Sequence, residues 1–301
     1  MEDEAMWKAM GGVFTCMGGL LFASSLLLTK NAKKVTKRSR PKGMAANASK
    51  REGEAYSLKL AALWIAAVVV VIATQAYEWW GPTGYMLIGL FCAVPYVVVP
   101  YAFPSEEEAK IPWRERYITK ANVWIAIFSF IGNYWYTHYF YRVLKARYTF
   151  EAFRLNDVPL CLYLMTHAYF MFYHALSNFV IRWIRDTYAA NGFRHFFEWS
   201  VIASMSYTTA FGEALTICAF PYYSFEDRNQ AYVLGSAFYG IYFLVSYPMF
   251  FQVDENAKKA IKSSHYSIQD TIVSALAASM AVLCLLDFVR LSMGVELFAA
   301  Y

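Results

Sequence analysis

Asn133, His138, His167, His174 and Asn178 lie inside two stretches of this chain that are otherwise apolar enough to span a bilayer, and Glu213 lies well inside a further one. A charged or titratable group in hydrocarbon costs roughly 2.5 to 3.5 kcal/mol on insertion scales, so it faces a bundle interior and marks a functional position. Imidazoles and one carboxyl in such surroundings suit proton transfer to or from an apolar molecule. A carboxyl stripped of water favours its neutral, proton-bearing form, and a buried imidazole stays neutral and can accept. Positions seven and eleven apart on a helix return to within about 20° of one direction. His167, His174 and Asn178 thus form one stripe, and Asn122, Ser129, Asn133 and Thr137 another; His138 turns away from Asn133 towards Tyr134 and Tyr141. Ser206, Thr209, Glu213 and Thr216 form a third. Hydrogen bonding between helices is the alternative role for Asn133, Asn178 and the histidines.

The elements that must carry these groups follow from composition. The chain has 301 residues, 58% hydrophobic, 19% aromatic and only 16% charged, where a soluble domain has about 25% charged. Crossing a hydrocarbon core takes roughly 20 apolar residues. Segments 11–29, 58–77, 83–103, 121–143, 158–183, 196–220, 231–251 and 268–292 qualify. The expected fold is an all-α, polytopic membrane bundle of seven core helices preceded by an N-terminal anchor helix. Glu2, Asp3 and Glu4 precede that anchor, and a basic tract (Lys30, Lys33, Lys34, Lys37, Arg38, Arg40, Lys42) follows it, which is not the layout of a cleaved secretory signal. Alternating the helices puts twenty of the 27 lysines and arginines in four segments, 30–59, 110–120, 182–194 and 258–262. By the positive-inside rule these face the cytosol and 221–230 faces the lumen. Glu213 and His138 then lie roughly 10 Å from the lumenal ends of their helices, with His167 slightly deeper and His174 in the opposite half.

Five scattered cysteines, Cys16, Cys92, Cys161, Cys218 and Cys284, have no metal or disulfide spacing. Five histidines are too few for a membrane di-iron oxidase, and no dinucleotide fingerprint, P-loop or nucleophile elbow is present. No metal and no cofactor are expected. The net charge of +5 comes largely from the basic tract and suits an anionic lipid surface, not nucleic acid. Asp287 and Arg290 read as an interfacial ion pair, and Pro95, Pro100 and Pro248 as helix bends. A cavity walled by Tyr134, Trp135, Tyr239 and Tyr242 would favour a cation. Proton chemistry on an apolar molecule, or binding without chemistry, remains.

The runs KANVWIAIFSFIGNYWYTHYF, LMTHAYFMFYHALSN, FPYYSFEDR, FYGIYFLVSYPMFFQVDE and LLDFVRL closely resemble the cycloeucalenol cycloisomerase, or cyclopropyl sterol isomerase, family. The resemblance covers 49–291, so 49–301 is taken as a sterol isomerase-like membrane domain and 1–48 as an extension holding the anchor and the basic tract. It implies opening of the 9β,19-cyclopropane ring of cycloeucalenol to give obtusifoliol, in the endoplasmic reticulum membrane, without a cofactor. Glu213 is the expected acid, and His167 or His138, with His174 as a further candidate, the base or relay. Asn133, Asn178, Tyr134, Tyr239 and Tyr242 are expected to contact the sterol. The expected partners are the sterol and membrane lipids, with no protein partner identifiable. Non-catalytic sterol binding or transport, and a sterol double-bond isomerase, are the competing readings.

Overall fold

The computed structural model describes residues 2–31, 41–142, 145–255 and 266–294, without the side chains of Glu2, Asp3, Ala5, His138 and Arg142. Most of the basic tract (32–40), Val143, Leu144 and the lysines at 258, 259 and 262 lie outside the described residues.

Eight helical rods lie among the described residues. They are α1 (Glu2–Ser25), α2 (Ala48–Ala73), α3 (Pro82–Ala102), α5 (Tyr117–Ile131) continued into α6 (Thr137–Arg142), α7 (Leu160–Thr187), α8 (Gly192–Ala219), α9 (Arg228–Gln230) continued into α10 (Ser236–Phe251), and α11 (Ile268–Met293); a one-turn α4 (Glu106–Ala109) sits between α3 and α5. The joins inside the two composite rods are π turns, Gly132–Tyr136 and Ala231–Gly235. Among the described residues, five helices are long and apolar enough to cross a membrane, namely Met6–Ser25, Ala48–Ala73, Pro82–Ala102, Arg228–Phe251 and Ile268–Met293. The protein is therefore an all-α membrane protein. The rods α5–α6, α7 and α8 occupy the other expected spans and carry Lys120, Arg182, Arg185, Arg194 and Glu198 towards their ends.

Helix boundaries follow local chemistry. The Asn47 side chain caps α2 by accepting from the Lys50 amide, Asn191 caps α8 at the Arg194 amide, and Ser267 with Asp270 forms a capping box on α11. The first helix starts nine residues earlier than expected and stops at Ser25. It lies against α8, with Met6, Met10 and Phe14 packed on Phe211 and Tyr207.

Helix α7 is the hub, packing on α2, α3, α5, α8 and α10. Gly89 of α3 lets it approach closely, since a Cβ there would meet the Cys161 carbonyl oxygen at 3.1 Å and its Cα at 3.2 Å. Loops gather at two ends, as alternation of the helices requires. One end brings residues 43–50, 108–120, 178–198 and 251–255 together. At the other, β1 (Arg147–Tyr148) pairs antiparallel with β4 (Tyr223–Ser224), and β2 (Arg154–Leu155) with β3 (Val158–Pro159). Tyr77, Tyr85, Phe150 and Phe220 pack beneath.

Candidate active site

Glu213 projects from the last third of α8 towards α7 and α10. The hydroxyls of Tyr173 on α7 and Tyr239 on α10 lie beside its carboxyl. Oε1 is buried and has no hydrogen-bond partner among the described residues, so part of the carboxyl's bonding capacity stays uncommitted. Tyr169, Tyr223 and Tyr247 lie near enough to sense its charge, and the Tyr247 hydroxyl is held by Thr209 Oγ1 at 3.0 Å. Glu213, Tyr169, Tyr173, Tyr223 and Tyr239 lie deep among protein atoms, yet each keeps part of its surface uncovered. Groups that are both deep and uncovered border a cavity or cleft, here called the chamber. Rings continue its wall: Tyr239 meets Tyr242 edge-on at 5.0 Å and Phe243 at 5.1 Å, and Tyr242 meets Tyr136 at 4.8 Å. Tyr148 and Tyr223, on the paired strands β1 and β4, close one end.

Both π turns border this region. Tyr136 belongs to the first, and the carbonyl of Leu234, in the second, accepts from the Tyr139 hydroxyl at 3.4 Å. Wide turns of this kind occur frequently at functional sites.

His167 faces elsewhere, and its setting starts from a missing donor. Pro100 has no N–H, which leaves the Tyr96 carbonyl one turn earlier without its helical partner. Asn122 Nδ2 supplies a substitute at 3.0 Å and also donates to the Ile118 carbonyl at 2.8 Å. Its Oδ1 is thereby fixed as an acceptor, so His167 Nε2, 2.9 Å away, is the donor. The neutral ring then holds its lone pair on Nδ1. Tyr96 continues the network, taking the Trp64 indole N–H at 3.1 Å and donating to the Ser57 carbonyl at 3.2 Å. No interaction among the described residues links His167 to Glu213.

The other expected site residues divide. His174 is fully buried, donating from Nδ1 to the Phe170 carbonyl (2.8 Å) and accepting at Nε2 from Ser246 (2.9 Å), inside a ring of Trp124, Phe243, Tyr247 and Phe250. Asn133 bonds back to the Ser129 carbonyl at 2.9 Å. Tyr134 stacks on Phe130 at 5.8 Å, and Trp135 beside it is 52% exposed. The expected wall of four aromatics is thus split, with Tyr239 and Tyr242 at the chamber and the other two towards the outer surface of α5. The His138 side chain lies outside the described residues.

Asn178 belongs to a buried ionic cluster at the far end. Its Nδ2 donates to Glu54 Oε1 at 2.9 Å. Arg182 grips Glu54 (3.0 and 3.1 Å) and Glu255 (2.8 and 2.9 Å) and donates to the Gly43 carbonyl at 2.6 Å. Lys50 pairs with Glu255 at 3.0 Å and caps the end of α10 through the carbonyls of Phe251 and Val253, at 2.8 and 2.6 Å. Burial alone would push the Glu255 carboxyl up, but the Arg182 fork and the Lys50 ammonium outweigh it and hold Glu255 below the usual carboxylate range. Sequence reasoning passed over this cluster, although Lys50 and Glu54 at i and i+4 before an apolar run were a readable signal. Tyr173 gave no comparable signal.

Fold and chamber together define an all-α membrane protein built around a desolvated acid in an aromatic enclosure. Over 254 residues, 83% of this chain and 89% of the relative, the sequence is 39% identical to the cycloeucalenol cycloisomerase of Arabidopsis thaliana. The chain belongs to the cycloeucalenol cycloisomerase family and is an isomerase. No family model matches it, and no solved structure does.

Proposed function

We propose that this protein opens the 9β,19-cyclopropane ring of a cyclopropyl sterol, cycloeucalenol giving obtusifoliol, within the endoplasmic reticulum membrane. The observation that carries the reading is Glu213, a lone carboxyl in a tyrosine-walled chamber of a protein whose plant relative is named for this reaction. Seven helices of the core span the bilayer in this reading, and the sterol reaches the chamber from the surrounding lipid.

Desolvation favours the neutral form of a carboxyl, which suits Glu213 to hold a proton in reserve. Its transfer to carbon 19 breaks the bond from carbon 19 to carbon 9, makes a methyl group and leaves positive charge at carbon 9. Loss of the proton on carbon 8 then places a double bond between carbons 8 and 9. One proton enters and one leaves, so the balance calls for no cofactor. The Tyr239 ring, with Tyr242 and Phe243 packed against it, presents negative potential to the passing cation. Asn133 Nδ2 bonds back to its own helix and Asn178 sits in the ionic cluster at the far end, so a chamber tyrosine takes the sterol hydroxyl in this reading, and His174 is a packing residue.

The test is to supply cycloeucalenol to sterol-auxotrophic cells expressing the full chain and to extract their sterols. Obtusifoliol is expected. Retained but unchanged cycloeucalenol would indicate a binding or transport protein instead, and a shifted ring double bond with the cyclopropane intact would indicate the other isomerase class.

A further inference from the structure

The ring opening needs a proton donor and a proton acceptor, yet the described part of the chamber contains a single group able to be either. Glu213 is its only carboxyl among the described residues. The donor N–H of His167 is turned to Asn122 on α5, and both nitrogens of His174 are engaged. Tyrosine hydroxyls are donors to a carboxylate and poor acceptors of a carbon-bound proton. The substrate chemistry removes the need for a second group, because carbon 8 and carbon 19 are both bonded to carbon 9. The atom that gains a proton and the atom that loses one are neighbours but one, within the compass of one carboxyl.

Resting on the ring-opening reading above, we propose that Glu213 performs both transfers, as acid and then as base, and that Tyr173 and Tyr239 are positioning residues that hold its carboxylate between the two steps. In the first step the carboxyl O–H and the bond between carbons 9 and 19 break, and a carbon 19–hydrogen bond forms. This leaves a carboxylate facing a cation at carbon 9. In the second the electron pair of the carbon 8–hydrogen bond becomes the new π bond, and the proton goes to the carboxylate. Each turnover ends with Glu213 reloaded. The two tyrosine hydroxyls stabilise the charge that exists only between the steps, as preorganised donors do at a developing anion. They come from different helices, so the carboxyl is approached from two sides, and its Oε1 has no hydrogen-bond partner among the described residues.

The experiment uses the full-length protein in lipid vesicles with cycloeucalenol, following kcat/KM against pH between about 5 and 9. A separate acid and base give a bell-shaped profile, because the base must be unprotonated. One carboxyl doing both must only begin protonated, so no loss towards acid pH is expected; a loss on that side overturns the proposal. Tyr173→Phe and Tyr239→Phe should each lower kcat by roughly 10² with little change in KM, as expected for a donor serving a transient anion. A rise in KM at unchanged kcat would assign them to sterol binding and overturn the positioning role. His167→Gln, which keeps a donor for Asn122, should cost less than Glu213→Gln. An equal loss would make His167 the base and overturn the single-carboxyl scheme. If the wild-type protein does not convert cycloeucalenol at all, the ring-opening reading fails; if it converts it with an acid limb, only this inference fails.

Discussion

At the scale of single residues, the polar groups inside this bundle do two different jobs. Asn122 repairs a fault that Pro100 makes in α3, and by doing so it sets which nitrogen of His167 carries hydrogen. Asn122→Leu should leave the Tyr96 carbonyl and the His167 N–H without partners in an apolar interior, at about 1 to 3 kcal/mol for each group. Placed in a Pro100→Ala background, which returns an N–H to Tyr96, the same change should cost less, and unfolding midpoints of the four proteins in detergent would measure the coupling. Glu213 is the group proposed to do chemistry. Glu213→Gln keeps the shape and hydrogen bonding but cannot deliver a proton of comparable acidity, so turnover should fall by roughly 10² to 10⁴ with sterol binding retained. Near-full activity in that variant, by product analysis, would remove Glu213 from the mechanism. Glu213 was legible in the sequence as a candidate because a carboxyl inside an apolar run is rare. Its two tyrosines were not, since the chain has 24 of them and which ones face the acid depends on helix rotation. The stripe of His167, His174 and Asn178 was read correctly as one inward face, but its members meet three different helices, α5, α10 and α2.

At the scale of elements, the ionic cluster ties the start of α2, the end of α7 and the end of α10. Removing one partner strands the rest, and loss of one member of a buried pair costs about 3 to 5 kcal/mol. Arg182→Met should therefore destabilise the protein by that order, read as a lowered unfolding midpoint. The acid dependence follows from Glu255, whose folded-state value lies below the ordinary carboxylate one. A depressed carboxyl contributes stability above the unfolded value of about 4.3 and gives it up as pH falls through the folded one. Stability should thus hold from neutral pH to about pH 4 and decline below, and Glu255→Gln should start lower at neutral pH and show a weaker decline. The same elements refine the role of the N-terminal extension. Cutting at Ser49 removes the Asn47 cap, worth about 1 kcal/mol, and the Gly43 carbonyl that Arg182 uses. A chain starting near residue 41 keeps both. The shorter protein should therefore show a lower unfolding midpoint than the longer one, while a retained midpoint would mean that the cap and carbonyl are idle.

At the scale of the whole molecule, the helical rods were legible because each carries a long apolar run, and all eight begin and end within ten residues of the expected segments, six of them within four. The π turns were not legible, since a π turn differs from its neighbours by one residue in the hydrogen-bond ladder and not by composition. The convergence expected of Glu213 with His167 was not legible either, because depth along a helix axis fixes only one of three coordinates. Sidedness is testable directly. Loops 43–50, 108–120, 178–198 and 251–255 share one end, so a glycosylation acceptor inserted within 221–230 should be modified and one within 252–267 should not. The reverse pattern would turn the bundle over without altering any internal contact.

The π turn at Ala231–Gly235 carries one residue more than a regular helix would use, and the consequence is genetic. Losing a single codon there would let α9 and α10 rewind into an unbroken α-helix, turning everything beyond it by about 100° relative to α9. Tyr239 and Tyr242 would still be encoded and the helix would be just as apolar, but the Tyr239 ring would swing off the carboxyl it now lies beside. Exchanging side chains one at a time along 231–235 would find most positions tolerant. Deleting one of them would silence the enzyme, so the spacing of this segment, and not its lettering, is what inheritance has to preserve.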